Sequence, residues 1–161
     1  MLLPILRWPD PRLSQSCAPA VLDADLRSLA KDMLETMYAA PGRGLAAPQV
    51  GRLVRMFVMD VGWKTGEPAP MVFVNPELEL LGDRILGPEG CLSIPGPVTD
   101  VERNDQVRLR WTDLDGGAQD ATFDGFAAIC IQHEFDHLNG ILTLDRLSPE
   151  ARSVAEAEVL A

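Results

Sequence analysis

The chain has no excess of positive charge and no long apolar run. Its 14 Lys and Arg residues are outnumbered by 24 Asp and Glu residues, which gives a formal net charge of −10. This balance argues against a surface built to bind nucleic acid or anionic lipid. No apolar run approaches the roughly 20 residues that a bilayer crossing needs. The first residues also lack a charged leader followed by an apolar stretch, so we expect them to belong to the mature fold.

Repeats, low-complexity segments and linkers are also missing. The 161 residues, 47% hydrophobic and 24% charged, have the size and composition of an ordinary soluble globular protein. We therefore predict a single domain over residues 1–161.

Cysteine is scarce and odd in number. The three cysteines, Cys17, Cys91 and Cys130, are widely spaced, which does not suggest a disulfide framework. A reducing compartment, the cytoplasm, is predicted, where a cysteine is free to act as a thiolate ligand.

Histidine is scarcer still, and both histidines lie in one segment, Gln132-His133-Glu134-Phe135-Asp136-His137. On an α-helix, positions i and i+4 lie on the same face, one turn apart. Two imidazoles placed in this way can share one metal ion, and Glu134 between them can act on a water at the open position. A chance match would be an exposed helix with two ordinary histidines. The preceding apolar turns instead predict a buried site, where unpaired imidazoles would be costly.

The hydrophobic pattern predicts three helices. Residues 23–39 form an amphipathic helix with Asp23 as N-cap, which ends at Pro41-Gly42. Residues 125–138 form a second helix that starts after Asp124 and stops at Asn139-Gly140. This helix is apolar nearly all round from Phe126 to Ile131, so we expect it to be buried in the core. Residues 149–160 form a short terminal helix.

The sequence pattern predicts strands and loops between the helices. The predicted fold class is therefore α+β. Residues 42–51 form a Gly/Ala-rich loop that lets backbone approach another group closely. Asp115-Gly116 predicts an antiparallel hairpin between 106–112 and 118–123. The other strand-like segments are 54–60 and 71–75, with 77–86 as a further strand or turn region.

The third metal ligand separates the families that use two such histidines. A third histidine is excluded because the chain has no other. A downstream glutamate, as in thermolysin-like peptidases, leaves Glu150, Glu156 and Glu158, which lie in a polar tail of a chain that lacks the second domain of those enzymes.

A cysteine is the other choice for this ligand. Cys91, between Gly90 and Leu92, would give a Cys/His/His set with an open fourth position, although a free cysteine is often only a small core residue. Cys130, three residues before His133 in an apolar run, is a rival that fits pocket lining or core better.

Three segments resemble the motifs of peptide deformylases, in the family's order and at family-like spacing. They are Gly42-Arg43-Gly44-Leu45-Ala46-Ala47-Pro48-Gln49, Glu89-Gly90-Cys91-Leu92-Ser93 and Gln132-His133-Glu134-Phe135-Asp136-His137. The similarity runs from Pro4 to about Pro149. It implies a fold of antiparallel or mixed β-sheets packed around a central buried helix that carries the histidines, with an N-terminal amphipathic helix and a short C-terminal one. It also implies removal of the N-formyl group from the formyl-methionine of nascent polypeptides, with release of formate.

The resemblance also assigns the catalytic roles. It implies that Cys91, His133 and His137 bind one divalent metal ion, natively Fe(II), with Zn, Ni or Co as possible substitutes. Glu134 would accept the proton of the attacking water and deliver it to the leaving amine. The side-chain amide of Gln49 and the backbone N–H of Leu92 would stabilise the oxyanion. Taken alone, Gln49 would be a loop amide that caps nearby backbone.

The substrate contacts implied by the resemblance involve side chains and backbone. The apolar slot for the methionine side chain would be lined by Phe126, Ile129, Cys130 and His133, although Phe126 and Ile129 also fit plain helix core. The backbone of Gly44, Gly90 and Leu92 would hold the peptide in an extended pose. Glu89 and Asp136 would orient the metal-bound imidazoles, unless Asp136 is a salt-bridged surface residue.

The chain departs from the family pattern at three places. Arg43 replaces an aliphatic residue beside the pocket mouth, where it brings charge to the second or third substrate residue or points into solvent. An arginine that many deformylases carry near the position of Val98 is missing. The short tail, residues 156–161, is acidic and suits docking near the ribosomal exit tunnel poorly, which leaves at most a transient ribosome contact.

The expected partner is therefore a formyl-methionyl peptide, bound by a monomer that binds neither nucleic acid nor membrane. Two alternatives stay open. One is a divergent paralogue that deformylates other small formylated peptides or amides, and the other is a metal-binding homologue without turnover.

Overall fold

A five-stranded antiparallel sheet forms the frame of the molecule. The computed structural model describes residues 1–161, and its strands follow the chain in the order β1-β2-β3-β4-β5. The predicted α+β fold is confirmed, with all five strands in one sheet. Their bounds are β1 Gly44–Ala46, β2 Met56–Met59, β3 Met71–Cys91, β4 Ile94–Thr112 and β5 Ala118–Asp124.

The strands β3 and β4 are far longer than the sequence predicted. They contain 21 and 19 residues and pair antiparallel, with register shifts at Val74/Glu77, Leu81/Arg84 and Glu89/Cys91. These irregularities accommodate the glycines and prolines that interrupt the strand pattern. The segment 77–86, predicted as strand or turn, is part of β3. The hairpin ends in the two-residue turn Leu92-Ser93, which places Cys91 at the tip of β3.

The helices lie where they were predicted. Helix α1 (Ala24–Ala39) is capped by Asp23, whose side chain accepts a hydrogen bond from the Leu26 N–H at 2.8 Å. Helix α2 (Gly125–Leu138) is followed by Gly140 with a φ of 72°. Asp124 occupies its N-cap position, but its side chain makes no capping hydrogen bond. Helix α3 (Pro149–Leu160) is capped by the Ser148 hydroxyl. None of the helices combines the length and the hydropathy that a bilayer crossing requires.

Three hydrophobic clusters hold these elements together. The first lies between α2 and the sheet and contains Phe57, Phe73 and Ile131. The second joins α1 to β1 and β2, and the third lies beneath α3 around Ala155. The cluster beneath α2 fixes the helix that carries both histidines against the sheet that carries Cys91.

Two local predictions need correction. The segment 42–51 is not all loop, because it contains the edge strand β1 and a 3-10 turn, Ala47–Val50. Helix α2 is not buried on every side, because the Phe126 side chain in its first turn is 53% exposed. This turn faces an open cleft rather than the core, which an apolar pattern alone does not reveal.

Candidate metal centre

The side chains of Cys91, His133 and His137 converge at the inner end of the cleft. Their ligand atoms lie within 4.8 Å of one another, and Cys91 Sγ is 3.5 Å from His137 Nε2. In a tetrahedral site with metal–ligand distances of about 2.0–2.3 Å, neighbouring ligand atoms are about 3.3–3.6 Å apart. One thiolate and two imidazoles at this spacing therefore fit a single divalent ion.

The structure does not bring the rival ligands to this point. The Cys130 sulfur lies 3.9 Å from the backbone oxygen of Arg43, and burial raises the pKa of this thiol well above its usual range. A metal ligand needs the opposite shift, since the thiolate is the binding form. Glu156 accepts a hydrogen bond from Arg152 on α3, and Glu150 and Glu158 are exposed on the same helix. None of these three glutamates belongs to the cluster.

A buried ion-pair network supports the histidines. Glu89 contacts His133 Nδ1 at 3.0 Å, which leaves Nε2 of this ring free to face the ion. The Arg103 guanidinium donates two hydrogen bonds of 2.9 Å to Glu89 and one of 2.6 Å to Asp136. Burial opposes ionisation of Glu89, but the hydrogen bonds from His133 and Arg103 outweigh it and lower its pKa. The carboxylate therefore stays ionised behind the ring.

Asp136 is salt-bridged, as the second interpretation of the sequence expected, but it is buried rather than on the surface. Instead of orienting an imidazole, its carboxylate accepts hydrogen bonds from Arg103 at 2.6 Å and from Arg146 at 2.6 and 2.7 Å. It thus ties α2 to β4 and to the 3-10 turn Thr143–Arg146. The Nδ1 atom of His137 is buried without a partner in the chain.

Glu134 lies beside the ligands and is almost fully buried. Burial raises its pKa to about 7, although His133 acts in the opposite direction. Its Oε1 atom has no hydrogen-bond partner. A carboxyl group with a pKa near neutrality and a free oxygen can take up and release a proton at physiological pH.

The pKa values of the two imidazoles are shifted in opposite directions. Burial disfavours the charged form of His133, but Glu134, Cys91 and Glu89 raise its pKa well above the usual range. Burial lowers the pKa of His137 well below that range. Since a metal ligand must be neutral imidazole, ion binding has to displace the proton of His133 but none from His137.

Gln49 connects the first motif to the second. Its Oε1 atom accepts the Ala46 N–H at 2.9 Å, and its Nε2 atom donates to Ser93 Oγ at 3.0 Å. Nε2 also lies 3.7 Å from Cys91 Sγ. The amide orientation is therefore fixed, with its donor end facing the candidate metal centre.

The cleft in front of these groups has a volume of about 460 Å³. All of the residues proposed from the sequence for substrate contact line it: Arg43, Gly44, Gly90, Leu92, Phe126, Ile129, Cys130 and His133. Val98 lies at the rim of the cleft and is 68% exposed.

Four supporting residues were not predicted from the sequence. Arg103 and Arg146 hold Asp136, Ser93 holds the Gln49 amide, and Gln132 links α2 to β4 through hydrogen bonds with the backbone of Asn104. Ser93 and Gln132 lie inside the quoted motifs, so their polarity beside apolar neighbours was an available signal. Nothing in the local sequence marks Arg103 as buried.

The chain is similar to known proteins over nearly its whole length. A family model for polypeptide deformylase matches residues 2–153. The chain belongs to the peptide deformylase family. A peptide deformylase from Mesorhizobium japonicum is 48% identical over 153 residues, which is 94% of this chain and 87% of the relative. These matches make the chain an enzyme of the deformylase type and confirm the predicted family.

Solved structures show the same fold. A peptide deformylase from Legionella pneumophila gives a TM-score of 0.93 at 39% identity, covering 99% of this chain and 94% of that one. A class I type b peptide deformylase from Acinetobacter baumannii, bound to Met-Ala-Ser, gives 0.84 at 34% identity, covering 91% and 99%.

Proposed function

We propose that this deformylase removes the formyl group from the N-terminal formyl-methionine of nascent polypeptides in the cytoplasm, and that residues 1–161 form one catalytic domain. The observation that carries the proposal is the cluster of Cys91, His133 and His137 beside Glu134 at the inner end of a peptide-sized cleft. The tripeptide bound to the Acinetobacter baumannii relative begins with methionine, as the product of this reaction does. All three cysteines are free, in keeping with a reducing compartment.

Cys91, His133 and His137 would hold one divalent ion, for which we propose Fe(II) as the native metal and Zn, Ni or Co as substitutes. When bound, the ion would act as a Lewis acid toward the formyl carbonyl and would make the attacking water more acidic. The hydrogen bond between Glu89 and His133 holds that ring in the orientation a ligand needs.

Glu134 acts as the proton carrier of the reaction. Its free Oε1 atom takes the proton of the attacking water and then gives it to the leaving amine. The burial that raises its pKa to about 7 makes both transfers feasible near neutral pH.

Two N–H donors stabilise the negative charge on the formyl oxygen. The side-chain amide of Gln49 is held by Ala46, so its Nε2 atom needs no reorganisation before the reaction. The backbone N–H of Leu92, in the turn after Cys91, makes no hydrogen bond within the chain and is available as the second donor.

The peptide would bind as an added strand. Strand β1 pairs on only one side, with β2, so the other edge at Gly44 is open toward the cleft. Gly90 lines the cleft near the tip of β3. The methionine side chain would enter a slot formed by one face of α2, where residues at i, i+3, i+4 and i+7 align: Phe126, Ile129, Cys130 and His133.

Formate release from formyl-Met-Ala-Ser tests the proposal, with protein loaded anaerobically with Fe(II). Glu134→Gln keeps the size and polarity of the side chain but removes its ability to carry the proton. We expect it to lower kcat by about 10²- to 10⁴-fold, with the bound metal unchanged. Absence of formate from the loaded native protein would disprove the function. Full turnover by Glu134→Gln would disprove only the role of that residue.

A further inference from the structure

The outer part of the cleft carries two cations that no carboxylate of the chain neutralises. Arg43 and Lys64 both line the cleft. The Arg43 guanidinium lies 5.1 Å from the centre of the Phe126 ring, and Lys64 Nζ lies 5.7 Å from that of Trp63. The turn that carries Lys64 is fixed to the wall of the cleft, because Trp63 Nε1 donates to the Gly42 carbonyl at 2.9 Å.

The carboxylates of the cleft are buried, and one of them is already paired with an arginine. Glu89 and Glu134 are the only carboxylates that line it, with exposed fractions of 8% and 4%. Both oxygens of Glu89 are bonded to Arg103. The rim opposite is neutral, since it consists of Pro95, Gly96, Pro97 and Val98. The mouth is therefore positive in a chain whose net charge is −10, and a cleft concentrates such a field.

We propose that Arg43 and Lys64 make the enzyme favour peptides with an acidic side chain at the second or third residue. This inference rests on the proposed function, which puts a formyl-methionyl peptide in the cleft. Phe126 is the most exposed residue of the proposed methionine slot, so Arg43 above its ring lies at the exposed end of that slot. An extended peptide advances about 3.3 Å per residue, which puts the next two residues within reach of long cationic side chains.

The expected gain in kcat/KM for acidic peptides is modest and sensitive to salt. Ion pairs between exposed groups are weak, so we expect kcat/KM to rise about two- to fivefold when a neutral side chain is replaced by an acidic one. Screening should remove most of this gain at high ionic strength.

Matched amidated peptides test the preference. The measurement is kcat/KM for formyl-Met-Asp-Ser-amide, its Asn isostere and its Lys analogue, together with formyl-Met-Ser-Asp-amide, at low and high salt. Arg43→Gln, Lys64→Gln and the double variant remove the proposed cations. Lys31→Gln is the matched control, since it makes the same charge change at an exposed position of α1 outside the cleft.

The result that supports the proposal is a preference for Asp over Asn, at either position, that disappears in the double variant and persists in Lys31→Gln. Equal values for Asp and Asn, or an unchanged ratio in the double variant, would overturn it. The enzyme could instead prefer the free acid of formyl-Met-Ala-Ser over its amide and show no preference for Asp. In that case the two cations would bind the C-terminal carboxylate of the peptide, and the proposal would be overturned.

Failure of the proposed function is distinguishable, because then no peptide yields formate. Calorimetric binding of Met-Asp-Ser-amide and Met-Asn-Ser-amide measures the same preference without turnover. Tighter binding of the Asp peptide would support the proposal, and equal affinities would overturn it.

Discussion

At the scale of single residues, Arg103 connects the candidate metal centre to the rest of the core. Its guanidinium bridges Glu89, which holds His133, and Asp136, which holds α2. The side chains of Arg103, Glu89 and Asp136 are only 3%, 6% and 9% exposed. Charges buried to this degree are tolerated only when they are paired. The position of His133 therefore depends on a residue outside the candidate ligand set.

We predict that Arg103→Met lowers the free energy of unfolding by about 3–5 kcal/mol, because it removes a charged partner from two buried carboxylates. Glu89 then keeps only His133, and Asp136 keeps only Arg146. Denaturation in urea measures the loss. The control is Arg108→Met, which breaks an exposed pair with Asp120 and should change stability little. Equal losses in the two variants would show that the buried network contributes no more than a surface ion pair.

A second prediction separates the two cysteines near the cleft. Cys91→Ser should lower metal affinity by more than the roughly 10- to 100-fold typical of a lost outer hydrogen-bond partner, because it removes a ligand. Cys130→Ser should keep the metal, because its sulfur lies outside the ligand cluster. Metal content after dialysis measures both. If only Cys130→Ser lost the metal, the thiolate ligand would be Cys130, and our assignment of Cys91 would be wrong.

These residues also show where sequence analysis succeeds. Local spacing predicts that the two histidines lie close together, since residues four apart share a helix face, and both belong to the candidate ligand cluster. The environment of Arg103 is set by partners 14 and 33 residues away, Glu89 and Asp136. Only the register of β3 with β4 and the packing of α2 bring these groups together, so no local pattern predicts that this arginine is buried.

At the scale of secondary structure, β1 passes so close to α2 that a side chain at position 44 would press on residues of the helix. A Cβ added to Gly44 would lie 2.5 Å from Glu134 Oε2 and 2.8 Å from Cys130 Sγ. Both are side-chain ends that can move. An added methyl group would therefore displace the proposed proton carrier.

We predict that Gly44→Ala lowers the rate of formate release about 10- to 100-fold, since a displacement of about 1 Å at a reacting group can have this effect. The cost in stability should be smaller, about 1–3 kcal/mol. Gly87→Ala is the control, because a Cβ there meets no atom within 4 Å. A rate for Gly44→Ala equal to that of Gly87→Ala would show that Glu134 tolerates the displacement.

The elements themselves were predictable to different degrees. Helix α2 was found with its bounds because an apolar run, an N-cap position and a terminal Asn-Gly agree over residues 124–140. The 21 residues of β3 were divided by Pro76, Gly82 and Pro88, since each interrupts a regular strand pattern. Their continuity depends on pairing with β4 and on the register shifts in that ladder, which are properties of two strands together.

At the scale of the whole molecule, the core consists of three clusters of apolar side chains. The two larger hydrophobic clusters contain 11 buried residues each and the third contains five. In the cluster beneath α2, the rings of Phe57 and Phe73 stack 4.7 Å apart on the sheet, and Ala128, Ile131 and Leu138 of the helix belong to the same cluster. The ion would join groups that these clusters already place together. We therefore expect the metal-free chain to fold.

Removal and return of the metal tests this expectation. The stripped protein should keep the far-UV signal of its helices and sheet and should melt at a lower temperature. Free metal at about 100 times Kd should add about 2.7 kcal/mol of stability, which raises the Tm of a chain of this length by roughly 5–11 °C. Calorimetry over a metal titration measures the rise, which should be smaller in Cys91→Ser and complete in Cys130→Ser. A stripped protein without secondary structure would show that the ion, rather than the three clusters, holds the fold, and an undiminished rise in Cys91→Ser would place the bound ion at another site.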